Sequence, residues 1–394
     1  MNRKALGRLA ILLVAFFVFL PSGSLKAQDV GVTDSSVKIG LFNPLTGAVS
    51  IWGVSMEHGA MTIYNEVNKA GGIHGRKIEV VSMDDRASPE GAKAAVKKLI
   101  YSDKVFILNG GLASVATYGA RPEIINAKVP LVLNGATMDK ISHPVNRYIF
   151  APVLLASVDG IMNVEFIMSK PGTKRLAMVK HPDEWAKSKM EEGLELLKKK
   201  YGLDLVANET MDKGAHDATA QILRIKDAKP DAVFLVIFPA EAAIFCRDSY
   251  KYELKVPFTW SLIDLLDLRD RVGSLEAVEN VYSNSYIKNS LKKFPDLAKI
   301  HATYFPKDKF SSMVLQGMGS ARVVVEGLKR AGRNLTRERF MDALETLRDF
   351  DTGILSSPTT FTKDDHRGNK MGRIVTLVKG EEYYMEPKWI EGLK

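Results

Sequence analysis

The chain of 394 residues holds a single cysteine, Cys246. No internal disulfide can form, and a cysteine-based metal site is excluded as well. Cys246 lies in the apolar helical stretch Ala-Glu-Ala-Ala-Ile-Phe-Cys, so a buried, inert thiol is expected. The seven histidines are His58, His74, His143, His181, His216, His301 and His366. None belongs to a His-Glu-x-x-His element or another close metal pair. No metal and no other cofactor is therefore expected. No Gly-x-Gly-x-x-Gly follows a strand, and there is no P-loop. Ser114 lacks the flanking glycines of a nucleophile elbow. Of the enzyme classes, only a cleft hydrolase with dispersed residues stays open. A basic stripe with interleaved aromatics is also missing, so nucleic acid is not an expected partner. The most visible basic run, Lys198-Lys199-Lys200, ends a predicted helix, where cations complement the helix dipole.

Long apolar runs are scarce too. The one that stands out, Leu9–Leu20, follows Arg3, Lys4 and Arg8 and precedes Pro21 and Leu25-Lys26-Ala27. Basic start, short apolar centre and small-residue end describe a secretory signal peptide over residues 1–27, too short for a comfortable membrane span. Cleavage is expected after Ala27, and no cysteine lies nearby to carry a lipid. The predicted product is exported and soluble. The formal charge is +9; residues 1–27 carry four of the Lys and Arg residues and no acid, which leaves a mild +5 on the remainder. With 46% hydrophobic and 26% charged residues, there is ample material for a core, and two domains are the natural division.

From Val37 the chain alternates strand and helix. Val37–Phe42 reads as a strand. Met56, Ala60, Ile63, Tyr64 and Val67 recur at helical spacing before Ala70-Gly71-Gly72. Lys77–Met83 is a strand, and Ser88-Pro89 starts a helix with a cap and a first-turn proline. The pattern implies a parallel sheet with right-handed crossovers. It then restarts: strands at Arg175–Val179, Leu203–Asn208, Asp231–Phe238 and Pro257–Trp260 alternate with helices at Glu184–Tyr201, Asp217–Ala228 and Ala240–Tyr252. Two late helices, Ser312–Ala331 and one capped by Thr336, and a last strand, Arg373–Val378, complete the reading.

The stretch Val105–Thr137 organises the first half. Two short apolar runs, Val105–Leu108 and Val129–Leu133, end in Asn109-Gly110-Gly111 and Asn134-Gly135-Ala136-Thr137. Such runs suit strands buried on both faces, and ligands of open α/β sheets bind beyond their carboxyl ends. Glycine admits close backbone approach, and hydroxyls beside a helix start suit an anion, most simply a carboxylate. Ser114, Gly135 and Thr137 are the candidate cradle. They are equally ordinary turn and cap residues. Pro122 predicts a short first turn and a main helix starting near Pro122.

Asn68-Lys69-Ala70-Gly71-Gly72-Ile73-His74-Gly75-Arg76, the strand ending Asp84-Asp85, the turn Pro44-Leu45-Thr46-Gly47 and the spacing of the Ser114 and Thr137 turns resemble the leucine/isoleucine/valine-type periplasmic substrate-binding proteins of ABC importers. The resemblance implies an α/β, two-lobed periplasmic-binding-protein fold of type I. Each lobe would be a mostly parallel sheet flanked by helices, with a three-segment hinge at Val153–Leu155, Ser283–Tyr286 and Leu355–Pro358. Residues 36–153 and 286–355 would form the first lobe, and 154–285 and 356–394 the second. It further implies that Ser114, Gly135 and Thr137 hold a ligand carboxylate, that Trp52 and Trp185 clamp from opposite lobes with Phe238 near another aromatic position, and that Asp264 is the candidate for a ligand ammonium. A core tryptophan at each position and a capping or solvated Asp264 are the plain alternatives. The implied protein is a monomeric periplasmic carrier of an amino acid, partnered by an ABC permease and ATPase at the inner membrane. If Asp264 points away, an aromatic or short aliphatic carboxylate without an amine, or an amide, fits as well. A ligand sensor on the same fold is the remaining alternative.

Overall fold

The structure is a computed structural model and describes residues 29–47, 49–261 and 264–385. The expected signal peptide lies outside the described residues. Five strands come first: β1 (Ser36–Asn43), β2 (Lys77–Asp84), β3 (Ile107–Gly110), β4 (Leu131–Leu133) and β5 (Ile149–Leu154). Between them run α1 (Ser50–Lys69), α2 (Pro89–Lys97) and α3 (Ser114–Asn126). The second run is α4 (Ala156–Met168), β6 (Leu176–Lys180), α5 (Glu184–Tyr201), β7 (Ala207–Thr210), α6 (Thr219–Asp227), β8 (Ala232–Val236), α7 (Pro239–Lys251), β9 (Phe258–Trp260), α8 (Leu265–Val272) and β10 (Val281–Ser285). The chain ends with α9 (Pro295–Tyr304), α10 (Ser312–Ala331), α11 (Arg337–Glu345), β11 (Arg367–Asn369), β12 (Arg373–Val378) and β13 (Glu381–Tyr384).

Two sheets result, ordered β11-β5-β4-β3-β1-β2 and β13-β12-β10-β9-β8-β6-β7. All pairs are parallel except β10–β12 and β12–β13. Interior strands β3, β4 and β5 are buried along their whole length, whereas the edge strand β7 alternates half-buried and exposed and the edge strand β2 buries only Ile78. That is the difference between two covered faces and a half-covered edge. In the first lobe Val132 and Phe150 face α1 and α10, and Leu131 and Ile149 face α2 and α3. In the second, Val233 and Leu235 face α6 and α7, and Phe234 and Val236 face α4 and α5.

In each lobe a helix pair packs backbone against backbone. A side chain at Gly59 of α1 would collide with the Val314 carbonyl of α10, and one at Gly317 with the Met56 carbonyl. In the second lobe a side chain at Gly160 of α4 would collide with the Lys189 carbonyl of α5, and one at Gly193 with Gly160. These seams decide which residues of α5 and α10 reach the space between the lobes.

The chain leaves the first sheet after Leu154 and returns after Ser285, where Ile287 bridges Leu355. The third passage departs from the sequence reading. It lies between β11 and β12, near Asn369–Arg373, and not at Leu355–Pro358. Residues 356–369 thus stay with the first lobe: Arg367 pairs with Ala151, and Phe361 stacks edge-on to Phe150 in the first core. The triplet Arg-Gly-Asn has no apolar pattern to announce a strand. The break expected at Pro122 is also absent. One helix runs from Ser114 to Asn126, with Ala116, Ala120 and Ile124 buried and Gly119 closed against Pro89 of α2. That packing offsets the one helix hydrogen bond proline cannot make. β7 starts at Ala207, later than expected, because Leu203 and Leu205 pack on the α5 side before pairing with β6 begins.

Candidate functional site

A cavity of about 220 Å³ lies between the lobes. It sits beyond the carboxyl ends of β3, β4, β6 and β8, where this sheet geometry places ligands. Among the sequence-derived candidates, Trp52, Ser114, Gly135, Thr137, Trp185 and Phe238 all line it. Asp264 is not on its wall. Asp264 caps α8, accepting the Asp267 N–H at 2.9 Å, and accepts the Ser312 hydroxyl of α10 at 3.3 Å. It therefore ties one lobe to the other; burial raises its pKa.

The first-lobe wall has no charged side chain. Ser114 opens α3, and its Oγ accepts the N–H groups of Thr137 at 3.1 Å and Met138 at 3.3 Å. Its own proton is left to donate. The Thr137 hydroxyl makes no hydrogen bond among the described residues. The Gly135 N–H is used internally, donating to the Gly111 carbonyl at 3.1 Å. So the cradle's donors are two hydroxyls and the first N–H groups of α3, which no cap side chain satisfies. Gly135 contributes space, since a side chain there would press on Met56 and Leu112. Gln316 of α10 completes this wall. Its Nε2 donates to the Asn134 carbonyl at 3.1 Å, and its Oε1 is buried without a partner.

The second-lobe wall is built from charges and rings. Asp183 caps α5, accepting the Ala186 N–H at 2.8 Å, and pairs with Lys213 at 2.6 Å. The Lys213 ammonium stands 4.9 Å from the Phe238 ring centre. Phe238 lies 4.8 Å from Trp185 and 6.2 Å, edge-on, from Trp52 across the gap. Beneath it, His181 is held by two backbone bonds: Nδ1–H donates to the Met211 carbonyl at 2.7 Å, and Nε2 accepts the Phe238 N–H at 2.9 Å. Accepting at Nε2 requires neutral imidazole, and burial accordingly lowers its pKa despite the Met211 carbonyl and Glu241.

Lys189 closes the floor. Its ammonium is bonded to Asp159 and, at 2.7 Å, to the Tyr286 hydroxyl, with both ionic side chains almost wholly buried. Asn163 and Asn284 also donate to Asp159, at 3.1 and 2.6 Å. Burial pulls the lysine pKa down, but the Asp159 carboxylate outweighs it and holds the ammonium firmly protonated. Burial lifts the Tyr286 hydroxyl to about 12, so it stays a donor.

Sequence reading did not single out Asp183, Lys189, Lys213 or Gln316, and it named Tyr286 only as the end of a hinge segment. Asp183 was within reach as the residue before a helix. Gln316 is a lone uncharged polar residue in an apolar run. Lys189 carries no such mark, lying among the lysines and glutamates of α5. Cys246 is buried, and burial lifts its thiol to about 12, which leaves it unreactive.

The chain is similar to the leucine-, isoleucine-, valine-, threonine- and alanine-binding protein of Pseudomonas aeruginosa, 26% identical over 57% of this chain and 59% of that protein. The chain thus spans about three fifths of that relative. In fold it resembles a branched-chain amino acid ABC transporter from Thermus thermophilus with bound valine, at a TM-score of 0.82 and 20% identity over 91% of this chain and 98% of that one. It also resembles a fatty acid ABC transporter substrate-binding protein from Thermomonospora curvata, at 0.79 and 24% over 92% and 95%. The profile of the periplasmic binding proteins matches residues 36–382, and the chain belongs to that family.

Proposed function

We propose that this protein is the extracytoplasmic solute-binding component of an ABC-type importer and carries a small carboxylate-bearing ligand between its lobes. The carrying observation is the cavity itself. One lobe supplies uncharged donors converging near the start of α3, and the other supplies an aromatic lid of Trp185 and Phe238 that meets Trp52 across the gap. The anion is held by the Ser114 and Thr137 hydroxyls and the α3 N-terminus, and the apolar body by the rings, whose large area comes at little entropic cost. A ligand touching both walls favours the closed arrangement, because it makes the second set of contacts only there. The names of the relatives support this class of cargo. The permease and ATPase of an importer are the corresponding partners.

The test is calorimetry against short aliphatic, aromatic and amino acids, paired with solution scattering. Binding with a smaller radius of gyration and recovery of the compound unchanged is expected. Binding without compaction would remove the two-wall mechanism, and conversion of the ligand would make the protein an enzyme.

A further inference from the structure

The reading above leaves open what the carboxylate carries. An ammonium entering a closed, dry site needs a carboxylate partner, since an unpaired buried charge costs several kcal/mol. Among the described residues, Asp183 is the one acid on the cavity wall. Both of its oxygens are taken, one by the Ala186 N–H and the other by Lys213. Asp264 serves α8 and Ser312 elsewhere. The other charged residues lining the cavity are Lys189 and Lys213, each paired with an acid. Lys189 uses two of its three N–H groups on Asp159 and Tyr286.

A different kind of acceptor is present. Gln316 is 1% exposed, lines the cavity and leaves its Oε1 without a partner. The Nε2 bond to the Asn134 carbonyl fixes which way the amide faces. A neutral oxygen suits an uncharged donor, and a hydroxyl is the donor closest in size to an amine.

We propose that the ligand is a hydroxy acid lacking an amine, its carboxylate in the Ser114–Thr137 cradle and its hydroxyl on Gln316 Oε1. This deepens the reading of the site as a carboxylate carrier and rests on it. The site selects against amino acids through the absence of a free acid on its wall. Gln316 is the specificity residue.

The experiment is titration calorimetry with two matched sets: leucine, leucic acid and isocaproic acid; phenylalanine, phenyllactic acid and hydrocinnamic acid. In at least one set the hydroxy acid should bind at least about tenfold more tightly than the amino acid and more tightly than the acid bearing neither group. Gln316→Leu should erase the advantage of the hydroxy acid over the unsubstituted acid. Gln316→Glu should shift preference toward the amino acid. Thermal melts of both variants establish that they fold, and the wild-type order of affinities decides the matter if either does not. An amino acid binding as tightly as its hydroxy analogue overturns this inference and leaves the carboxylate carrier standing. Silence from all six acids overturns the carrier reading and this inference together.

Discussion

The two walls of the cavity are made of different chemistry. The first-lobe wall holds no charge and presents hydroxyls, a helix start and one amide. The second-lobe wall holds two ion pairs, Asp159–Lys189 and Asp183–Lys213, and two aromatic rings. An uncharged wall can bind an anion at any stage, because its donors need no counter-charge. A charged wall must be neutral within itself before the ligand arrives, and here each lysine already has its acid. The first wall is therefore suited to capture, and the second to discrimination and closure.

The largest effect should come from the floor of the second wall. Lys189→Met strands the Asp159 carboxylate in a dry site and should destabilise the protein by about 3–5 kcal/mol. Urea denaturation measures it, and adding Asp159→Asn should return most of the loss. A cost below about 1 kcal/mol would mean that the pair does not organise this wall.

On the first wall, Thr137→Val should weaken binding of any ligand acid by about 1–3 kcal/mol, roughly 5- to 150-fold, with little change in stability. Calorimetry giving the wild-type affinity would take Thr137 out of the cradle. Acidity should also separate the walls, because the first carries no titrating side chain. His181 has a folded pKa lowered by burial, so the unfolded chain takes up its proton first. Its contribution is present above about pH 6.5 and is lost as pH falls through the folded value. The stability difference between wild type and His181→Gln should shrink from about pH 7.5 to about pH 5. A constant difference would contradict the neutral, Phe238-holding imidazole. The smallest effect belongs to Lys213→Ala. This half-exposed pair should contribute under about 1 kcal/mol to stability, and a larger loss would place the pair deeper in the wall's architecture.

The same contrast governs what could be read from sequence. The first wall follows short apolar strands and lies in turns whose glycines and hydroxyls are local signals; Ser114, Gly135 and Thr137 were legible for that reason. So were Trp52 and Trp185, through the family resemblance, and the helix capped at Ser88, where Oγ accepts the Gly91 N–H. Lys189 was not, because its role depends on Asp159 arriving from another helix, and nothing in Glu-Trp-Ala-Lys-Ser-Lys-Met says which lysine turns inward. The third passage between lobes was misplaced for a related reason. β11 exists through pairing with β5 and not through its own residues. Asp264 was read as a site acid from its order in the chain, and order does not reveal that its oxygens turn to α8 and α10.

The glycine seams carry a further consequence. Gly317 adjoins Gln316, and Gly160 sits under the backbone of Lys189, so each seam lies directly behind a wall. One added methyl there would shift an entire helix without altering a single atom that touches cargo. Homologues that have switched to bulkier or slimmer compounds could have done so from behind, keeping an unchanged lining. A comparison of cavity residues alone would then miss the substitution that resized the chamber.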